Sequence, residues 1–338
     1  MSRPRDDSGP EVHDSELRAH GSQELVEHVL AGRRRALGRA ISLIENGDSS
    51  VEEILRAVYP STGNAYIVGL TGPPGAGKST VADELVQAAR GAGKRVGVIA
   101  VDPNSPFSGG AILGDRIRMM RHATDEGVFI RSMGARGHLG GLALATQNAG
   151  TLLDSAGYDL ILFETVGVGQ SELEVAGAAD TTVVVIPPGL GDGVQAIKAG
   201  IMEIADIFAV NKADHPYVDK TVADIRDLLR MDGHSREWSP PIVKTVATRN
   251  EGVEDLWIRI GQHRQYLERS GGFERRRRER LERNILAIAE QRIRRQVLEP
   301  RIDSAEFSRV LDSVMERRID PYAAADVLAP LEHSKLRA

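Results

Sequence analysis

Gly72 to Ser79 reads GPPGAGKS and fits the pattern G-x-x-x-x-G-K-[ST]. Glycines at this spacing let a backbone curl so that several N–H groups point at one phosphate, which bulky side chains would block. Gly75, Ala76 and Gly77 form the candidate cradle. Lys78 supplies a point charge for the β- and γ-phosphates, and the hydroxyl of Ser79 is a candidate Mg²⁺ ligand. Ser79 and Thr80 open a helix whose positive end would lie under the anion.

A second group of residues reads a base. In DIFAVNKAD an apolar strand runs into Asn211, Lys212, Ala213 and Asp214. The Asp214 carboxylate can accept from the N1–H and the exocyclic amine of guanine. Adenine has no such donor pair and would leave the acid unpaired, so this carboxylate selects GTP and GDP over adenine nucleotides. Asn211 would approach the O6/N7 edge, the Lys212 stem would lie over the base or ribose, and Ala247 is the candidate for a backbone N–H facing the base. Three acids complete the set. Asp102 leaves a strand in VGVIAVD, Asp115 follows in LGDRIRM, and Glu164 ends the apolar run LILF before the glycines of TVGVG. Mg²⁺ takes oxygen ligands and keeps waters, so one hydroxyl and a few carboxylates suffice. Glutamate reaches about one methylene further than aspartate and can hold a metal-bound water instead of the metal. Gly167 and Gly169 would let the following segment move with the γ-phosphate.

The elements that must position these groups are legible as pattern. Residues 1–23 are polar and read as a disordered tail, and 24–64 show helical periodicity. From 65 to 267, short apolar runs alternate with amphipathic stretches. The expected strands are Tyr66–Leu70, Arg95–Val101, Phe129–Arg131, Leu160–Phe163, Thr182–Ile186, Ile207–Val210 and Ile242–Thr245. Strands separated by helices imply an α/β fold with a mostly parallel central sheet flanked by helices; with the phosphate loop and the guanine reader it is expected to be a P-loop GTPase domain, with helical N- and C-terminal extensions. Residues 268–338 are helical again, and the basic run Arg275–Arg278 reads as a solvated helix face with i,i+4 pairs.

Composition narrows the class. The 338 residues carry 27% charged and 41% hydrophobic side chains, globular values, and a formal net charge of −5, which disfavours nucleic acid as a general partner. There is no apolar run of the ~18 residues a membrane span needs, and the N-terminus lacks the h-region of a signal peptide, so no membrane and a cytoplasmic location are expected. The absence of cysteine excludes thiolate metal sites.

TGPPGAGKST, VDPNSPFSGGAILGDRIRM, ETVGVGQSE, PPGLGDGVQAIKAG and NKAD, in this order, resemble the MeaB/ArgK-type GTPases, the G-protein chaperones of adenosylcobalamin-dependent methylmalonyl-CoA mutase. The likeness runs from about Arg34 to about Leu267, with a looser helical likeness beyond. It accounts for the glutamate, since this branch ends the strand in Glu-Thr-Val-Gly where small signalling G proteins have Asp-x-x-Gly. It implies that Lys78, Ser79, Asp102, Asp115 and Glu164 form the Mg-phosphate site, with Lys78, Asp102 and Glu164 catalytic. It also implies that Pro187 to Lys198 is a further switch toward the mutase and that the C-terminal helices form a homodimerisation arm, while an adenosyltransferase is a candidate further partner that the sequence leaves open. Asn104 and Ile117 depart from the family's usual DPSSPF and GDKTRM while leaving the acids in place, and Gln170 is a candidate for orienting the attacking water. Two other readings compete. A nickel-insertion GTPase shares this domain style but generally holds metal through cysteine. A kinase or transport-linked ATPase conflicts with Asp214 as a guanine reader.

Overall fold

The computed structural model describes residues 11–102, 119–134, 141–165, 177–189, 201–231, 237–302 and 304–329. Asp115, Asn104, Ile117, Gly167, Gly169, Gln170, the side chain of Asp102 and most of the Pro187–Lys198 segment lie outside the described residues. The chain divides into two compact units, residues 1–277 and 278–338.

In the first unit three helices, α1 (Glu11–Leu30), α2 (Arg34–Asn46) and α3 (Val51–Val58), precede a sheet of seven strands. The strands are β1 (Tyr66–Thr71), β2 (Val96–Asp102), β3 (Val128–Gly134), β4 (Leu160–Thr165), β5 (Thr181–Ile186), β6 (Ile207–Asn211) and β7 (Ile242–Thr245). They lie in the order β3-β2-β4-β1-β5-β6-β7, and every pair is parallel. All seven expected strands are present. Their ends differ by a few residues, because pairing continues past the apolar run: β4 extends through Glu164 and Thr165, which stay in register with Ala100 and Val101 of β2.

The continuous apolar runs follow from burial on both faces. Along β4, Leu160 and Leu162 enter one core while Ile161 and Phe163 enter another, as the two-residue period requires. On the first face, Leu162 packs with Val68, Leu70 and Val185 of the sheet under α4 (Lys78–Gly91) and α7 (Val253–Ser270). On the other, Ile161 and Phe163 meet α5 (Gly141–Ser155) and the N-terminal helices, whose Leu25, Val29, Leu37, Ile41, Ile54 and Val58 are buried. Each such side chain contributes about 1.5–3 kcal/mol. The N-terminal extension is therefore a covering layer of the sheet. Helix α1 starts at Glu11, inside the stretch expected as a tail; anchored by Leu25 and Val29, it propagates back through residues of ordinary helix propensity. Helix α6 (Val218–Met231) covers Val184, Ile186, Phe208 and Val210.

The first unit ends within helix α8 (Gly272–Ile293), at Arg277, ten residues beyond the boundary expected at Leu267. The second unit contains α9 (Ala305–Met315), capped by Ser304, and α10 (Pro321–Leu328), capped by Asp320. Leu281, Ile285, Leu286, Ile293, Leu311 and Met315 are exposed there. Among the described residues no helix is long and apolar enough to cross a membrane.

Candidate functional site

The phosphate loop leaves the C-terminal end of β1 at the centre of the sheet. Gly72 has φ 132°, and a Cβ there would sit 2.1 Å from the Val185 carbonyl oxygen, so only glycine lets the loop start against β5. Gly77 has φ 90°, and its Cβ would meet Asn211 Nδ2 at 2.3 Å. Lys78 is buried at the start of α4, and its ammonium donates to the carbonyls of Gly72 at 2.6 Å and Pro73 at 3.1 Å. Its charge is thereby held across the loop and not extended to solvent. Ser79, also buried, donates its hydroxyl to Glu164 Oε1.

Asn211 closes β6 and is 3% exposed. Its Nδ2 donates to the Ala76 carbonyl at 2.9 Å, and its Oδ1 accepts from Thr245 Oγ1 and from the Ala247 N–H, each at 3.1 Å. One carboxamide thus ties the phosphate cradle to the segment after β7. The Ala247 N–H, expected to face the base, donates to the oxygen of Asn211, the residue expected at the O6/N7 edge. Ala247 enters the site as a support of Asn211, because the short 3₁₀ turn Ala247–Arg249 turns its amide back toward β6. Lys212 adopts φ 60°, a left-handed conformation rare outside glycine, and the Ala213 N–H donates to the Thr245 carbonyl at 3.0 Å. This sharp turn presents Asp214 beyond the strand end. Its carboxylate accepts from Arg249 Nη2 at 3.2 Å, with the two side chains 46% and 58% exposed. The sequence reading had no place for Arg249, a charged residue in a loop 35 positions from its partner.

The acids converge in part. Glu164 is 1% exposed, and its register partner on β1 is Leu70, two residues before the loop. Asp102 ends β2 one residue past Val101, whose register partner on β4 is Thr165. The described donors, the Ser79 hydroxyl and the Glu164 carboxylate, are hard oxygen groups already in contact, a set that suits Mg²⁺.

At the opposite edge of the sheet lies a buried ionic network that motif reading missed. Arg276 donates to both oxygens of Asp206 at 2.7 Å and to the Asp180 carbonyl at 2.8 Å. Arg277 donates to the carbonyls of Gly63 and Ala65, and its guanidinium lies 4.0 Å from the Phe273 ring centroid. The basic run is therefore not a solvated face at these two positions, since their partners come from strand starts distant in sequence. His263 is fully buried, with Nδ1 2.8 Å from Thr181 Oγ1. Its Nε2 lies 3.3 Å from Asp206 Oδ1, yet the ring is neutral: burial pushes its pKa down to about 4, against the pull of Asp206, whose charge Arg276 already balances.

Comparison with known proteins places these features. The sequence profile of the family described as Methylmalonyl Co-A mutase-associated GTPase MeaB matches residues 37–301. A putative GTPase of Pyrococcus abyssi is 57% identical over 268 residues, 78% of this chain and 83% of that protein. The GTPase ArgK of Escherichia coli is 37% identical over 76% of this chain and 80% of its own length. The mouse mitochondrial methylmalonic aciduria type A homolog is 34% identical over 73% of this chain and 64% of its own. Among solved structures, a LAO/AO transport system kinase superposes with a TM-score of 0.66 at 26% identity, covering 91% of this chain and 96% of that one.

Proposed function

Because this chain belongs to the MeaB family of methylmalonyl-CoA mutase-associated GTPases, we propose that it couples GTP hydrolysis to cofactor loading and protection of an adenosylcobalamin-dependent acyl-CoA mutase, methylmalonyl-CoA mutase first among them. The family membership carries the GTPase activity itself. The observation that supports the residue assignment is the Asn211 carboxamide, which makes the phosphate cradle and the base-reading segment one bonded unit.

In this reading Gly75, Ala76 and Gly77 direct their N–H groups at the phosphates. Lys78 exchanges its loop carbonyls for the β- and γ-phosphate oxygens, the same charge meeting a stronger acceptor. Asp214 pairs with the guanine edge, and Arg249 must leave its carboxylate for that to happen. Ser79 and Glu164, with Asp102 and Asp115, hold Mg²⁺, which neutralises phosphate charge when bound. Catalysis of γ-phosphoryl transfer to water then rests on positioning and charge stabilisation. The homodimer is assigned to the exposed apolar side chains of the second unit, such as Leu281, Ile285, Leu286 and Leu311.

Steady-state GTP hydrolysis, measured alone and with purified methylmalonyl-CoA mutase at matched concentration, tests the assignment. A slow basal rate that rises with mutase is expected. A rate unmoved by the mutase would overturn that choice of partner, and no hydrolysis under either condition would overturn the residue assignments.

A further inference from the structure

Strands β2 and β3 begin at the edge of the sheet opposite the phosphate loop, and a cavity of about 910 Å³ opens there between α1, α2 and the strand starts. Six arginines line it: Arg33, Arg34, Arg35, Arg39, Arg90 and Arg95.

Two of the six are built into the wall. Arg90 is clasped by both oxygens of Asp125 at 2.8 and 2.9 Å, which raises its pKa and lowers that of the acid. Arg95 Nη1 donates to the Ala156 carbonyl at 2.9 Å, with its guanidinium 4.6 Å from the Tyr158 ring centroid. Both guanidinium groups lie against glycines: a Cβ on Gly127 would meet Arg90 Cζ at 2.3 Å, and one on Gly32 would meet Arg95 Nη2 at 2.8 Å. Among the described residues Arg34 donates to main-chain carbonyls, those of Ala123 at 3.3 Å and Asp125 at 3.4 Å. Arg33, Arg35 and Arg39 are exposed, and no side-chain hydrogen bond or ion pair of theirs occurs among the described residues. Among the described residues the lining carboxylates are Glu24 and Glu126.

So dense a positive cluster is repulsive unless an anion offsets it. Helix α2 sharpens the point. It has no acidic residue in its first turn and no side-chain cap at Arg33, so its positive dipole end adds to the same field. Guanidinium forks match phosphate oxygens two at a time, and several forks spread around a cavity of this size suit a ligand whose charge is itself spread out. We propose that this cavity is a second anion site, independent of the phosphate loop, and that it takes a small ligand carrying two or more phosphate groups. The ligand is either an inorganic polyphosphate or the phosphoryl part of an organic coenzyme.

Calorimetric titration of the full chain, loaded with one equivalent of GDP in magnesium-free buffer, tests it with tripolyphosphate and with ADP. The GDP occupies the phosphate loop, and ADP lacks the donor pair that Asp214 reads. Saturable binding of at least one probe is expected, weakening as salt is raised. The variant Arg33→Ser/Arg35→Ser/Arg39→Ser should lose on the order of tenfold in affinity or more, with a melting temperature no lower than that of the wild type and basal GTP hydrolysis unchanged. The single Arg39→Ser variant should lose part of it. Tighter ADP binding would favour a coenzyme, and tighter tripolyphosphate binding an inorganic chain. Binding of neither probe, or equal affinity in wild type and triple variant, overturns the proposal.

Discussion

Asn211→Asp alters one atom of a side chain that is 3% exposed. The retained oxygen can still accept from Thr245 Oγ1 and the Ala247 N–H, but the second oxygen replaces a donor 2.9 Å from the Ala76 carbonyl. The bond to Ala76 is lost and two acceptors then face each other in a buried place, which together cost about 2–4 kcal/mol at neutral pH. The new carboxyl escapes part of that cost by taking a proton and donating it to Ala76, so its folded-state pKa lies above the unfolded value of ~3.9. A native state that holds a proton more tightly than the unfolded chain loses stability as pH rises. Below the unfolded pKa both states are protonated and the penalty is smallest. It then grows by up to about 1.4 kcal/mol per pH unit until the folded-state pKa is passed, and levels off. Urea denaturation of both proteins without nucleotide, from about pH 4.5 to 8, isolates this difference because the wild type's own titrations cancel. The variant should also bind GDP more weakly, its cradle no longer tied to the base side. A stability gap that is absent, or the same at both ends of the range, would refute the stapling role of Asn211.

Asp214→Asn replaces an acceptor of guanine's amine with an amide that can donate to the oxygen of xanthine. GTP affinity should fall by on the order of tenfold or more while the preference over XTP shrinks, and competition against labelled GDP measures both. Arg249→Ala removes the competitor for the Asp214 carboxylate. The pair is half exposed and worth about 0.2–1 kcal/mol, so GDP should bind up to about fivefold more tightly with little change in melting temperature. His263 contributes a pH dependence opposite in sign to that introduced by Asn211→Asp. Its folded pKa is pushed down to about 4, so the unfolded chain binds the extra proton, and its contribution is complete above ~6.5 and lost as pH falls toward 4. His263→Gln should flatten that part of the stability curve, read as urea midpoints at pH values across the window.

What could be read in advance is what neighbouring residues dictate to one another. The runs that became β4 and β6 are apolar on both faces, and the glycines of the phosphate loop are required by backbone geometry within a few positions. The ends of the strands were less legible, since Glu164 and Thr165 remain in β4 through pairing with β2 and not through their own propensity. Pairings made across the fold left no local mark. Asn211 finds Ala76 at a separation of 135 residues, and Arg276 finds Asp206 at 70. Each of these polar side chains is equally at home in solvent; Asn211 and Asp206 are buried and bonded because the parallel sheet brings strand ends and starts together, and Arg276 reaches Asp206 from helix α8. Ala247 illustrates the same limit at close range: its place after β7 was evident, but the direction of its N–H depended on a 3₁₀ turn.

The glutamate at position 164 follows from that stacking. It belongs to a residue still paired to the sheet, with Leu70 on one side and Ala100 on the other. The hydroxyl it meets lies at the start of α4, on the far side of an entire loop that leaves β1 after Thr71. A side chain fixed by the ladder cannot advance its own backbone toward the loop, so the distance has to be covered by the side chain. Glutamate's additional methylene supplies that reach, and its contact with Ser79 brings a carboxylate and a hydroxyl together while both remain buried. Asn211 does the corresponding task from β6, where an amide suffices because the loop itself folds back onto it at Ala76 and Gly77. The phosphate loop is thus gripped from β4 on one side and β6 on the other. Both grips come from strand ends embedded in a parallel sheet buried on both faces, which holds the cradle in shape for an anion.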